Sequence, residues 1–154
     1  MTAIRKLCYG LWALYIAFLV YVLFLRRIDR DLPLTYLEYL SQCYNLIPGK
    51  GIYEFFTIPV KSSVYTLRFF MNYVGNLLLF LPWGILTPAA FSMQKKRFVL
   101  LTVAVILSVE LAQYLSMLGS FDVEDLILNV IGAMIGFAVF RWITMRNARK
   151  QDET

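Results

Sequence analysis

The stretch SVELAQYLSMLGSFDVEDLILNVIGAMIG, Ser108 to Gly136, decides how the chain must be read. Its apolar runs are those of a membrane segment, yet it carries Glu110, Gln113, Asp122, Glu124, Asp125 and Asn129. Two apolar helices joined by the polar link GSFDVED account for the pattern, one ending near Leu118 and the next starting near Leu126. An acidic residue at mid-helix costs about 2.5–3.5 kcal/mol on the insertion scale, so Glu110 is expected to face a protein interior or a wet cavity.

The composition of the whole chain agrees with this. Of its 154 residues, 60% are hydrophobic and only 16% charged, against roughly 45–50% apolar content in ordinary soluble domains. The length suits one compact domain over residues 1–154. The chain has no histidine, which excludes histidine metal sites, a Ser/His/Asp triad and a Cys/His dyad. Its two cysteines, Cys8 and Cys43, are far apart, and no disulfide framework is expected.

Outward from Ser108–Gly136, four apolar segments emerge: 7–25, 69–91, 98–118 and 126–145. Each is long enough to span a bilayer. The first lacks a small-residue cleavage site, so it reads as an uncleaved helix. The second contains Pro82 and Pro88, which predict a kink or an early end. The fold expected is all-α: an integral membrane four-helix bundle, with an external connection 26–68 that carries an interfacial helical segment between helices one and two. Leu34, Leu37, Leu40, Tyr44 and Ile47 recur there at roughly helical spacing, with Tyr36 and Tyr39 expected at headgroup level. The following IPGKG breaks that helix. The aromatic run from Ile52 to Phe70 is expected to re-enter or skim the outer leaflet.

Charge sets the orientation. QKKR links segments two and three, RNARK follows segment four, and GSFDVED has no basic residue. Under the positive-inside rule both termini and QKKR face the cytoplasm, with nine of the fifteen basic residues on that side. The cluster RRIDR after segment one opposes this assignment. The basic runs read as topology signals, and no nucleic-acid partner is expected.

With that topology Glu110 and Gln113 lie roughly 12 and 8 Å below the outer end of their helix. Asn72 and Asn76 fall in the outer half of segment two. Asp122, Asp125 and Asn129, spaced i, i+3, i+7, share one face if the last helix extends back to Asp122. Asn76, Glu110, Gln113, Asp122, Asp125 and Asn129 thus form a polar cluster expected to bind a ligand in the outer half of the bilayer. Plainer readings stand beside this one. The amides serve equally as interhelical hydrogen-bond partners, Asp122 as an N-cap, and Asp125 as a charge favoured by the helix dipole. Gly132 and Gly136 fit a small-xxx-small packing pattern, within the bundle or in a homo-oligomer.

Four blocks occur in order: NLIP (Asn45 to Pro48), GNLLLFLPWGILTP (Gly75 to Pro88), SVELAQ (Ser108 to Gln113) and FDVEDLILNVIGAMIG (Phe121 to Gly136). Together they resemble the VanZ-like family of small bacterial membrane proteins. The family pattern falls on Asn45, Pro48, Asn76, Phe80, Pro82, Gly84, Glu110, Gln113, Asp122, Asp125, Asn129, Gly132 and Gly136. Gly49 stands where the family usually has an aromatic, and Ser120 where it often has a basic residue. Any anion contact made by that basic residue would pass to Arg68 or Lys61. The resemblance implies a multi-pass protein of the bacterial cytoplasmic membrane and the setting of low-level resistance to teicoplanin, a glycopeptide with an acyl tail.

Three functions follow as expectations. The first is a non-catalytic cell-envelope accessory factor that binds a lipid-linked cell-wall precursor or a lipoglycopeptide among membrane lipids. The second is an intramembrane enzyme with Glu110 as acid/base and a divalent cation on Asp122 and Asp125. The third is a small proton-coupled transporter or flippase. The first needs no cofactor and no exact geometry, and it is preferred.

Overall fold

The computed structural model describes residues 3–27, 34–59 and 62–152. The apolar run after Arg5 and Lys6 forms α1, Ala3–Leu23, followed by a 3-10 turn at Leu25–Arg27. The second apolar segment forms two helices, α4 (Ser63–Leu79) and α5 (Leu81–Phe91), and the third is α6 (Lys95–Leu115). The last is α7, Val123–Asp152. Four helical stretches are long and apolar enough to cross a membrane: Arg5–Leu23, Ser63–Phe91, Lys95–Leu115 and Val123–Lys150. The molecule is an all-α membrane bundle.

Several ends differ from those expected, for local reasons. The second span starts at Ser63 rather than Phe69, because the Ser62 hydroxyl caps the helix by accepting the Tyr65 N–H at 3.1 Å. It breaks at Phe80, ahead of Pro82, which sits in the first turn of α5 and has no N–H to continue α4. Pro88 stays inside α5 and does not end it. The last helix starts at Val123 because Asp122 caps it, and it runs past Met145 because the basic tail has good helix formers and no breaker.

The connection between α1 and α4 is the part most unlike the expectation. The predicted amphipathic helix is short: α2 spans Tyr36–Gln42, held by a capping box between Thr35 and Glu38. Tyr44 and Ile47 lie beyond it. Tyr39 is buried, and its hydroxyl donates to the Gly119 carbonyl. Next comes β1, Tyr44–Asn45, paired in parallel with β2, Phe121–Asp122, so the connection is pinned to the link before α7. Gly49, at φ 84°, turns the chain into α3, Lys50–Thr57. The described residues of the aromatic run supply α3 and the first turns of α4, with the Phe55 and Phe69 rings stacked 4.0 Å apart.

The bundle runs up and down. Arg5 Nε donates to Ala90 O (3.4 Å), Trp12 Nε1 to Thr87 Oγ1 (3.1 Å) and the Tyr15 hydroxyl to Leu79 O (2.7 Å), which sets α1 antiparallel to α4–α5. Trp83 Nε1 reaches Thr102 Oγ1 on α6 at 3.0 Å, and Phe98 stacks on Phe137 of α7. A core of Tyr15, Leu19, Phe80, Trp83, Phe98, Ile106, Ala133 and Phe137 fills the space between the helices. Helix α7 packs against α4, α5 and α6. It approaches α4–α5 so closely that a Cβ on Gly132 would lie 2.1 Å from Leu77 O, and one on Gly84 2.0 Å from Ala133 O. Gly84, Gly132 and Gly136 therefore serve packing within this chain.

Candidate functional site

The polar residues gather at one end of the bundle, where α1 finishes, α4 and α7 begin, and the 34–59 connection lies across them. Three carboxylates near the start of α7 are each tied to a different element. Asp122 Oδ1 accepts the Glu124 N–H at 2.8 Å, the N-cap contact, and also the Asn45 amide at 3.1 Å. Glu124, only 7% exposed, accepts the Gly51 N–H at 3.1 Å through Oε1 and the Tyr73 hydroxyl through Oε2. Asp125 Oδ1 accepts the Asn72 amide at 2.9 Å. Together these contacts clasp β1 and α3 of the connection, and α4, onto the first turn of α7.

Local sequence explains the clasp. The parallel bridge between Tyr44–Asn45 and Phe121–Asp122 puts Asn45 directly opposite Asp122. A Cβ on Gly51 would lie 2.6 Å from Tyr73 Oη and 2.7 Å from Glu124 Oε2, so a larger residue here would push both side chains aside and disturb their contacts. Asn72 and Tyr73 are consecutive on α4, and Glu124 and Asp125 on α7, so two neighbouring pairs meet across one interface.

The expected cluster is thus divided. Asp122 and Asp125 are in the clasp. Asn129 is 2% exposed and Glu110 4% exposed, both inside the bundle. Gln113 is equally buried but turns towards α1, where its Nε2 donates to Leu23 O at 2.9 Å. Among the described residues, two buried side-chain atoms have no hydrogen-bond partner, Asn76 Nδ2 and Asn129 Oδ1. Asn45, read only as a motif residue, is a direct partner of Asp122. Glu124 was noted in the deciding stretch but left out of the cluster, and Tyr73 and Gly51 were not singled out, although FDVED and GKG are visible signals in the sequence. The basic residue suggested as an anion contact is Arg68, on α4; Lys61 lies outside the described residues.

Burial raises the Asp122 carboxyl above the usual aspartate range. The Glu124 N–H and the Asn45 amide pull it back, while the Glu124 charge raises it and Lys50 lowers it. Among the described residues no three His, Cys, Asp or Glu side chains group as a metal site, and Asp122 and Asp125 are held by separate amides.

Beside the clasp is an apolar hollow of about 300 Å³ lined by Tyr44, Leu46, Leu111, Tyr114 and Phe121. Leu37, Ile47, Tyr53 and Phe56, also on the connection, are 64–77% exposed. A bundle of four membrane-length helices, with an apolar connection clasped over one end, defines a small multi-pass membrane protein. The chain belongs to the VanZ/LLP1 family, whose model matches residues 12–144. That match runs from α1 into α7 and includes every clasp residue. No curated protein and no solved structure matches the chain.

Proposed function

We propose that this protein is a non-catalytic accessory factor of the bacterial cell envelope. It holds a lipid-linked cell-wall precursor, or an acyl-tailed glycopeptide such as teicoplanin, at the outer leaflet of the cytoplasmic membrane, with both termini cytoplasmic. The observation that carries the reading is the clasped connection. The exposed side chains Leu37, Ile47, Tyr53 and Phe56 suit the acyl boundary of a bilayer. The hollow between Tyr44, Leu111 and Phe121 offers an apolar surface next to the Asn45–Asp122 amide and carboxylate. An amphiphile with a polar head and an apolar tail matches that arrangement, and binding it requires no nucleophile. The clasp residues act by holding the connection in place over the bundle.

The test is glycopeptide susceptibility in a sensitive Gram-positive host. The host expresses wild type, Asp125→Asn, Glu124→Gln or Glu110→Gln at equal membrane levels. Wild type should raise tolerance to teicoplanin more than to vancomycin, which lacks the acyl tail. The two clasp variants should lose most of that protection. If wild type protects against neither drug, the reading is wrong; if all three variants protect as well as wild type, the clasp is not part of the site.

A further inference from the structure

The bend at Phe80 has a consequence on the side of α4 that faces α1. Below the bend α5 packs along α1, and the Tyr15 hydroxyl donates to Leu79 O beside the bend. Above it α4 leans towards α7 and away from α1. A cleft of about 360 Å³ opens between them, at the same end of the bundle as the clasp. Four polar side chains line it: Arg26 at the end of α1, and Arg68, Asn72 and Asn76 on α4. Val22, Met71 and Leu79 form its apolar floor and wall.

We propose that this cleft is a binding site for the phosphate headgroup of an anionic membrane lipid, with the lipid chain lying along Val22, Met71 and Leu79. Three observations support it. Neither guanidinium is in an ion pair among the described residues, where the single salt bridge joins Lys50 to Glu54. Arg68 is five residues into α4, roughly 8 Å beyond Ser63, inside an apolar span where an unneutralised charge is costly. Asn76 Nδ2, deeper on the same wall, is a buried donor with no partner, and leaving such a donor unpaired costs about 1–3 kcal/mol.

Two planar guanidinium forks and an amide donor make a set for oxygen anions, and phosphate accepts bidentate contacts from arginine. A free phosphate would leave the apolar wall without a role, whereas a lipid uses both halves of the cleft. The orientation proposed above puts these arginines on the outward side, where the positive-inside rule gives no reason for them. The lipid site itself does not depend on glycopeptide tolerance. One carboxylate is close by: Asp125, which takes the Asn72 amide. Its negative charge opposes anion binding.

The experiment is native mass spectrometry of the full chain in neutral maltoside micelles with added dioleoyl phosphatidylglycerol, dioleoyl phosphatidylcholine or inorganic phosphate. Wild type should retain phosphatidylglycerol over phosphatidylcholine. Arg68→Gln and Arg26→Gln should each reduce that retention about tenfold, the loss of one charge-assisted contact. Asn76→Leu, which keeps the branched heavy-atom shape and removes the unpaired donor, should reduce it without unfolding the chain. Arg149→Gln, at the other end of the bundle, should leave it unchanged, and Asp125→Asn, which removes the opposing charge, should increase it. Equal retention by wild type and both cleft arginine variants would overturn the proposal. So would displacement of the lipid by inorganic phosphate at equal concentration, which would make the site one for the free anion. Because Asp125→Asn should lose drug protection yet keep lipid, the two readings fail separately.

Discussion

Asp122 carries three duties on one carboxylate: it caps α7, it anchors Asn45, and it sits beside the carboxylate of Glu124. An unfolded aspartate titrates near 3.9, and burial raises the folded value. Folding therefore favours the protonated form. The stability this group contributes is complete below the ordinary aspartate range and is lost as pH rises through the raised folded value. Asp122→Asn keeps an oxygen that can accept both the Glu124 N–H and the Asn45 amide, but carries no charge at any pH. Its thermal midpoint in nanodiscs should compare least well with wild type near pH 4 and improve steadily towards neutrality. A difference between the two proteins that does not change with pH would show that burial of the charge is not what governs this site.

At the scale of elements, the helices meet through glycine, and that contact separates two substitutions that look alike on paper. A Cβ at Gly132 would lie 2.1 Å from Leu77 O, a backbone atom that moves only if α4 moves. Gly75, on α4, has nothing within 4 Å. Gly132→Ala should destabilise the fold by about 1–3 kcal/mol through overpacking. Gly75→Ala should be neutral or more stable, since alanine is favoured over glycine in a helix by about 1 kcal/mol. Denaturant titration in mixed micelles reads both, and equal effects would mean that the helices are not this close. The existence of these helices was legible because each is one long apolar run, and Gly132 and Gly136 already suggested close packing. What was not legible came from long-range pairing. Nothing local in Asn45 or Phe121 announces that two-residue strands will form, and their pairing depends on a connection folding back across the bundle. The same pairing carries Gly51 to Glu124, which is why Glu124 was left out of the expected cluster and Tyr73 was not named, while Asp122 and Asp125 were included on their spacing to Asn129. Gln113 was expected at the depth of the cluster. Depth alone, however, does not say which neighbouring helix a side chain faces, and Gln113 faces α1.

For the whole molecule, the arrangement of charge and of helix length makes one end unlike the other. Helix α7 has 30 residues, about 45 Å at 1.5 Å per residue, against a hydrocarbon core of about 30 Å. The surplus is not shared between its ends. Its first turn is clasped to Asn72, Tyr73 and Gly51, so the excess extends from the other end, carrying Arg146, Arg149 and Lys150. The stacking of Phe98 on Phe137 puts the start of α6 at that same end, so Lys95, Lys96 and Arg97 join the basic group. The clasp end has no such concentration on its final link, and its arginines at 26 and 68 line a cleft. This asymmetry predicts that the clasp faces outward. In a background of Cys8→Ala and Cys43→Ser, cysteines placed at two exposed positions test it: Ser120, beside the clasp, and Gln94, before α6. A membrane-impermeant maleimide should label Ser120→Cys on intact cells and Gln94→Cys only after lysis. The reverse pattern would invert the protein, moving the clasp and the α1–α4 cleft to the inner leaflet, where neither an external glycopeptide nor an outer-leaflet lipid could reach them.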